Sequence, residues 1–296
     1  MIGALRPAVF FDRDGTLNRE VNYLRTPEQL ELLDGVAAAI RRLNIAGWLT
    51  VVVTNQSIVA RGEVTLDGIR RIHARLDQLL AEGGAYVDAT YTCPHHPDAG
   101  SPGEVAELKI ECDCRKPRTG SIDAACRDLM IDRRVSWLVG DTTSDIETGR
   151  RAGVKTILVR TGHAGRDGKF AVQPGYTTVD APAAVDWILQ GHAALSRRMA
   201  PVAAAAIDAR LVLVGGPAGA GKSFAAQVLR EILAAAGRTA YVLALDPRQD
   251  ITERINAVPP DDVVIVEGVS ALLVDELVSR SDVKVHVDAA GNVRNA

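Results

Sequence analysis

The chain has little net charge, few aromatic residues, few cysteines and no long apolar run. Its 34 Lys and Arg nearly balance 37 Asp and Glu, for a formal charge of -3. That balance gives no global attraction to nucleic acid or to an anionic membrane, which leaves only a local basic groove open. With 4% aromatic residues, a basic face interleaved with stacking rings for a nucleic-acid strand is not expected. No segment approaches the ~20 apolar residues that span a bilayer. The N-terminus enters its first apolar run without a basic region, a longer apolar stretch and a small-residue cleavage site. The expectation is a soluble, cytoplasmic protein. Three of the four cysteines crowd between Cys93 and Cys114, and in a reducing compartment such thiols favour metal over disulfide. What is plentiful is apolar residues, 47% of 296, enough for two buried cores.

The chain is organised around Ala8 to Leu17, a short apolar run that ends in Asp12, Arg13, Asp14 and Gly15. Such runs read as buried strands, and in open α/β sheets reactive groups gather past their carboxyl ends. Leu49 to Val53 leads likewise into Thr54-Asn55-Gln56-Ser57, and Trp137 to Val139 into Gly140-Asp141-Thr142-Thr143-Ser144-Asp145. Lys116, in Arg115-Lys116-Pro117, adds a cation. Acids, small donors and one cation suit phosphoryl transfer. A carboxylate attacks phosphorus only if the two anions are neutralised as they meet. A divalent cation on oxygen ligands does this, with the lysine as a second positive charge. A second acid two residues on can protonate the leaving oxygen and later take a proton from water.

In this order the four segments resemble the motifs of the haloacid dehalogenase superfamily, over roughly the first two thirds of the chain. The resemblance implies Asp12 as nucleophile, Asp14 as acid/base, Thr54 and Lys116 as phosphate holders, and magnesium held among Asp12, Asp14 and Asp141. Asn55 offers a further amide donor to substrate, and Arg61 is a candidate second-site cation. Arg19 to Pro27 reads as a loop over the crevice, from which Arg19, Asn22, Tyr23 and Arg25 can reach substrate. Helical spacing predicts Val36 to Asn44 and Leu66 to Leu80 as helices, the second with Ile69, Ile72, Leu76 and Leu79 on its buried stripe. His73, off that stripe, is expected to be solvated.

Cys93-Pro94-His95-His96 and Cys112-Asp113-Cys114 bracket a stretch rich in Gly, Pro and acids. Residues 97–111 lack the pattern to build a core, which gives a zinc ion on sulfur and nitrogen ligands a structural role. With this loop the motifs resemble those of the heptose 1,7-bisphosphate phosphatases and their relatives, the histidinol-phosphate phosphatases. The resemblance implies zinc on Cys93, His95, Cys112 and Cys114, with His96 outside, Arg115 held at the mouth to meet a sugar phosphate, and no large cap. Three stretches depart from the usual pattern near the entrance: Gln56-Ser57-Ile58-Val59, Lys116-Pro117-Arg118-Thr119-Gly120, and Thr-Thr-Ser-Asp after Asp141. The sugar is therefore less determined than the chemistry. Thr156 to Val159 is expected as a strand, the loop Thr161 to Gly168 as closing the sheet edge, and Ala181 to Leu189 as a last helix.

A second signature follows. Leu211 to Val214 leads into Gly215-Gly216-Pro217-Ala218-Gly219-Ala220-Gly221-Lys222-Ser223 and a helical stretch, the strand, glycine loop and helix of a P-loop. Gly216, Gly219 and Gly221 would let backbone N–H groups face phosphates, Lys222 would reach the outer phosphates of ATP, and Ser223 would hold magnesium. Val263 to Gly268 and Leu243 to Asp246 resemble the corresponding strands of uridine kinase-like proteins, which implies Asp246 and Glu267 as kinase acids. Those proteins continue into an arginine-bearing lid, and only Arg294 lies beyond the strand Val283 to Val287, so the kinase is expected to be incomplete. The fold expected is two doubly wound α/β domains: a phosphatase domain at 1–190, a linker or linking helix at 191–207 and a P-loop domain at 208–296. Histidinol phosphate is the alternative substrate. A polynucleotide kinase-phosphatase is the rival of another class; it shares Thr-Asn-Gln after the second strand but lacks the zinc loop. A third reading has the P-loop domain only bind nucleotide and regulate.

Overall fold

A computed structural model describes residues 5–98, 100, 102–216, 222–245, 250–268, 271, 275–288 and 293–295. It divides into two compact units, Met1–Ile188 and Leu189–Ala296.

The first unit is built on a six-stranded parallel sheet. Its strands are β1 (Ala8–Phe11), β2 (Leu49–Asn55), β3 (Ala89–Cys93), β4 (Trp137–Gly140), β5 (Lys155–Val159) and β6 (Tyr176–Thr178), in the order β3-β2-β1-β4-β5-β6. All neighbours are parallel, with Phe11 in register with Val52 on one side and Val139 on the other. β1 is wholly buried, which is why its sequence is continuously apolar rather than alternating. The chain fills one side of β1 with β2 and β3, then crosses to β4. That reversal opens a crevice at the carboxyl ends of β1 and β4.

The helices of this unit are α1 (Val36–Ile45), α2 (Leu66–Glu82), α3 (Gly120–Asp128) and α4 (Thr143–Ala152). In α2 the buried stripe is Ile69, Ile72, Leu76 and Leu80, so it passes through Leu80 and not Leu79. Thr65 caps the helix by accepting from the Gly68 N–H; such a cap is worth ~1 kcal/mol. The edge of the sheet is closed by β6, not by the loop 161–168, which crosses to the crevice. Helix α5 (Ala181–Ala205) runs without a break through most of the stretch expected as a linker or linking helix. Its Ala184, Val185 and Ile188 are buried, and Leu195, Met199, Val202 and Ala203 join the core of the second unit. Alanine-rich composition favours helix over open linker, and these apolar side chains give that helix a face to bury.

The second unit carries β7 (Leu211–Gly215), α6 (Lys222–Ala235), β8 (Ala240–Ala244), α7 (Ile251–Asn256), β9 (Val263–Glu267), α8 (Asp275–Arg280), β10 (Val283–Val287) and β11 (Val293–Asn295). The strand order is β11-β10-β7-β9-β8, parallel except for β11 on β10. Side chains alternate between two cores. Val212, Val214, Val263 and Ile265 pack on one face with α6, and Leu211, Leu213, Val264 and Val266 on the other with Ile255 and Leu277, as the two-residue period of a strand requires. Arg294 lies in β11, opposite His286, and so belongs to a sheet strand rather than a lid.

Candidate active site and thiol cluster

The acids stand where the strands deliver them. The Asp12 N–H bonds to the Val139 carbonyl at 2.9 Å, so the first residue beyond β1 stays in the sheet and its carboxylate faces the crevice. Lys116 Nζ lies 2.8 Å from Asp12 and 2.6 Å from Asp145, and also donates to the Val53 carbonyl at 3.0 Å. Burial works against the charge of Lys116, but Asp12 and then Asp145 overcome it and hold the ammonium above its usual range. Asn55 fixes the backbone of the same lysine: its amide donates to the Lys116 carbonyl at 3.2 Å and accepts from the Lys116 N–H at 3.0 Å.

Asp141 faces Asp12 across the crevice. Burial, and second the neighbouring Asp12 charge, push its carboxyl up to about 8; burial likewise raises Asp12 to about 7. Asp141 Oδ2 accepts the His163 N–H at 2.6 Å, whereas Oδ1 is buried with no partner among the described residues. An orphaned carboxylate oxygen among repelling acids fits a cation held by hard oxygen ligands. Asp12, Asp141 and Asp145 bring carboxylate oxygens within 4.8 Å of one another. Asp145 is committed elsewhere, however: one oxygen takes Lys116 and the other caps α4 through Thr142. Asp14, expected among the magnesium ligands, is not in this cluster. Its carboxylate is turned to Arg13, Asn18 and Gln56.

Glycine is required where two loops meet Asp141. A side chain on Gly15, at φ +76°, would come within 2.4 Å of Asp141 Oδ2, and one on Gly162, at φ +55°, within 2.2 Å. Both strain and contact exclude one.

These groups line a cavity of about 310 Å³ with Asp12, Asp14, Thr54, Asn55, Arg115, Lys116 and Asp141 in its wall. Arg115 is steadied by the His95 carbonyl at 3.2 Å. Glu20, Gln56, Thr142, His163 and Lys169 also line it, none of them singled out as site residues from the sequence. Of the entrance loop, Asn22 and Tyr23 reach the wall, both at positive φ, while Arg19 and Arg25 turn away to Glu31 and Glu63. Arg61 is not in the lining; its guanidinium sits 5.1 Å from the centre of the Tyr23 ring. His73, expected to be solvated, is half-buried, with Nε2 unpartnered among the described residues. Burial first, then the Arg13 charge, lowers it to about 4. A larger, open depression of about 640 Å³ beside Arg118 and Arg127 holds none of the acid cluster.

The thiols form a second cluster beside Arg115. Cys93 and Cys112 sulfurs are 3.5 Å apart, Cys112 and Cys114 3.3 Å, and His95 Nδ1 is 3.3 Å from Cys114 and 3.8 Å from Cys93. These spacings are close to the edges of a tetrahedron with ~2.3 Å metal–sulfur bonds. His96 lies outside it, near Asp98.

In the second unit, Gly216 packs on the Val287 carbonyl with no room for a side chain. Lys222 begins α6 and Glu267 ends β9, both buried. Gly219, Gly221 and Asp246 lie outside the described residues, and of Ser223 only the backbone, within α6, is described.

A HAD-hydrolase-like family model matches residues 113–183. The chain is 46% identical over 190 residues to the D-glycero-D-manno-heptose-1,7-bisphosphate 7-phosphatase of Thermosynechococcus vestitus, covering 62% of this chain and 95% of that one. It is 39% identical over 190 residues to the corresponding Escherichia coli K12 enzyme, covering 64% and 91%. The crystal structure of a D,D-heptose 1,7-bisphosphate phosphatase from B. bronchiseptica, complexed with magnesium and phosphate, aligns at 32% identity and a TM-score of 0.55, covering 62% of this chain and 99% of that one. Over about 62% of its length, then, the chain belongs to the D-glycero-D-manno-heptose-1,7-bisphosphate 7-phosphatases, α/β phosphatases of the haloacid dehalogenase type that hydrolyse phosphate monoesters.

Proposed function

We propose that the first unit hydrolyses the 7-phosphate of D-glycero-D-manno-heptose 1,7-bisphosphate. The observation that carries this reading is one cavity that holds Asp12 against Lys116, the orphaned Asp141 oxygen and, at its mouth, Arg115 beside the thiol cluster. Asp12 attacks phosphorus and the ester bond to the sugar oxygen breaks; Asp14, ionised in the substrate-free site, takes up a proton as the phosphate dianion enters and delivers it to that oxygen. An aspartyl-phosphate remains on Asp12. Asp14 then takes a proton from water as it displaces phosphate and regenerates the carboxylate. Lys116 and Thr54 hold the phosphoryl oxygens. Asp12 and Asp141 are the acids that would hold magnesium, which supplies positive charge against the phosphoryl oxygens. Cys93, His95, Cys112 and Cys114 would hold zinc. With four protein ligands it has no open position, so its role is to shape residues 97–111 and set Arg115.

The test is a comparison of heptose 1,7-bisphosphate with histidinol phosphate, followed by phosphorus NMR. The expected result is preference for the bisphosphate and survival of its anomeric phosphate. Preference for histidinol phosphate would overturn the substrate.

We infer a second, nucleotide-binding function for residues 208–296. It is supported by the glycine-rich sequence between β7 and α6 and by a strand order that sets β7 between β9 and β10. Glu267 ends the neighbouring strand, in register with Val214. Calorimetric titration with ATP and magnesium should show binding that Lys222→Ala abolishes; equal binding by that variant would refute the role of Lys222.

A further inference from the structure

Four residues of the loop after β5 fasten it to Asp141 and Thr143. The His163 N–H bonds to the Asp141 carboxylate at 2.6 Å and the Gly165 N–H to the Asp141 carbonyl at 2.7 Å. Further on, Asp167 accepts from both the N–H and the hydroxyl of Thr143, at 2.7 and 2.8 Å, and the Phe170 N–H donates to that hydroxyl at 3.1 Å. Lys169 lies between the last two anchors and lines the catalytic cavity. A surface loop has no need of so many bonds to Asp141 and the start of α4 unless its position matters.

The charges around the cavity differ in how they are used. Lys116 is held by two carboxylates and Arg115 by a carbonyl. Glu20 lies 4.0 Å from His163 and accepts the Asn22 N–H. Lys169, exposed at the cavity wall, has no hydrogen bond or ion pair among the described residues, so its charge there has no counter-charge. The reacting phosphoryl group is already served by Lys116, Thr54 and the Asp12/Asp141 pair. Lys169 belongs to the connection after β5, on one side of β4 in the sheet, and Arg115 to the connection after β3, on the other.

We propose that Lys169 binds the second, non-reacting phosphate of the substrate and so selects a sugar bisphosphate over a monophosphate. This rests on the bisphosphate reading above. A lysine acts on a phosphate as a point charge, and its loss is felt as a difference between substrates with and without that group.

The experiment measures kcat/KM for heptose 1,7-bisphosphate and heptose 7-phosphate in wild type, Lys169→Ala, Lys169→Arg and Lys169→Glu. A charge-assisted contact predicts a roughly ten- to hundredfold fall in the bisphosphate-to-monophosphate ratio for Lys169→Ala, carried by KM. Lys169→Arg should keep most of the preference, and Lys169→Glu should lose more than Lys169→Ala. Equal losses on both substrates would mean that the lysine only supports the loop, and an unchanged ratio would mean that the second phosphate lies elsewhere; either overturns the assignment. A wild type that does not cleave the bisphosphate brings down the substrate reading itself. A wild type that cleaves it, with the preference intact in Lys169→Ala, brings down only Lys169.

Discussion

Arg13, fully buried, grips both carboxylate oxygens of its neighbour Asp14, with Nη2 2.7 Å from Oδ2 and 2.9 Å from Oδ1. Asn18 and Gln56 add one bond each. Burial opposes ionisation, but the guanidinium outweighs it and holds Asp14 below the usual carboxylate range. The residue between the two acids therefore acts as a clamp that fixes where the acid/base points.

Loss of the clamp should lower turnover more than binding. General acid/base catalysis contributes roughly 10²- to 10⁴-fold, and Arg13→Met should forfeit ~100-fold in kcat with a small change in KM. Arg13→Lys keeps the charge without the two-pronged geometry and should fall between. Steady-state kinetics check this; a change in KM alone would place Arg13 in substrate binding instead.

Lys116 neutralises two buried acids at once, so its removal leaves Asp12 and Asp145 facing each other without a cation. Breaking a buried ion pair on one side costs about 3–5 kcal/mol. Lys116→Ala is therefore expected to be less stable by that amount and inactive. Lys116→Ala combined with Asp145→Asn should recover part of the stability and none of the activity, as read by chemical denaturation and phosphate release.

Much of this site was legible because the residues that carry it sit where strands end. Asp12, Thr54, Asn55 and Asp141 follow apolar runs that could only be buried strands, and parallel pairing brings those ends together. Arg13 and Asp145 stood inside the same motifs, but their roles depend on which neighbour each side chain meets, and no spacing encodes that. Glu20, His163 and Lys169 enter through loops that close over the crevice from distant parts of the chain. His73 is half-buried because the stripe of α2 runs through Leu80 rather than Leu79, and a residue seven before Leu80 lies at its edge. Between the two forms that 191–207 could take, linker or linking helix, the structure has the helix, because Met199 and Val202 find a core to enter.

His73 should make stability depend on pH. Its folded value, about 4, lies below the ordinary 6.5, so the unfolded chain binds the proton more readily. The contribution is complete above pH 6.5, falls as pH drops toward 4 and is absent below. The shift corresponds to about 3 kcal/mol. Denaturation at pH 7.5, 5.5 and 4.5 should show this slope in wild type and a shallower one in His73→Gln. Parallel slopes would refute it.

Two metals in two sites should be separable. Cys112→Ser should lose zinc and loosen residues 97–111. Asp141→Ala should lose stimulation by magnesium and keep its zinc. Elemental analysis of the purified variants decides; zinc that leaves with Asp141 and not with Cys112 would contradict the assignment.

The central claim is that Asp12 carries the phosphoryl group. Acid quenching during turnover of heptose 1,7-bisphosphate, followed by peptide mass spectrometry, tests it most directly. A phosphorylated peptide spanning Ala8 to Leu17, modified at Asp12, is expected, and it should be absent in Asp12→Asn together with phosphate release. Phosphate trapped on another residue, or turnover that survives Asp12→Asn, would contradict it.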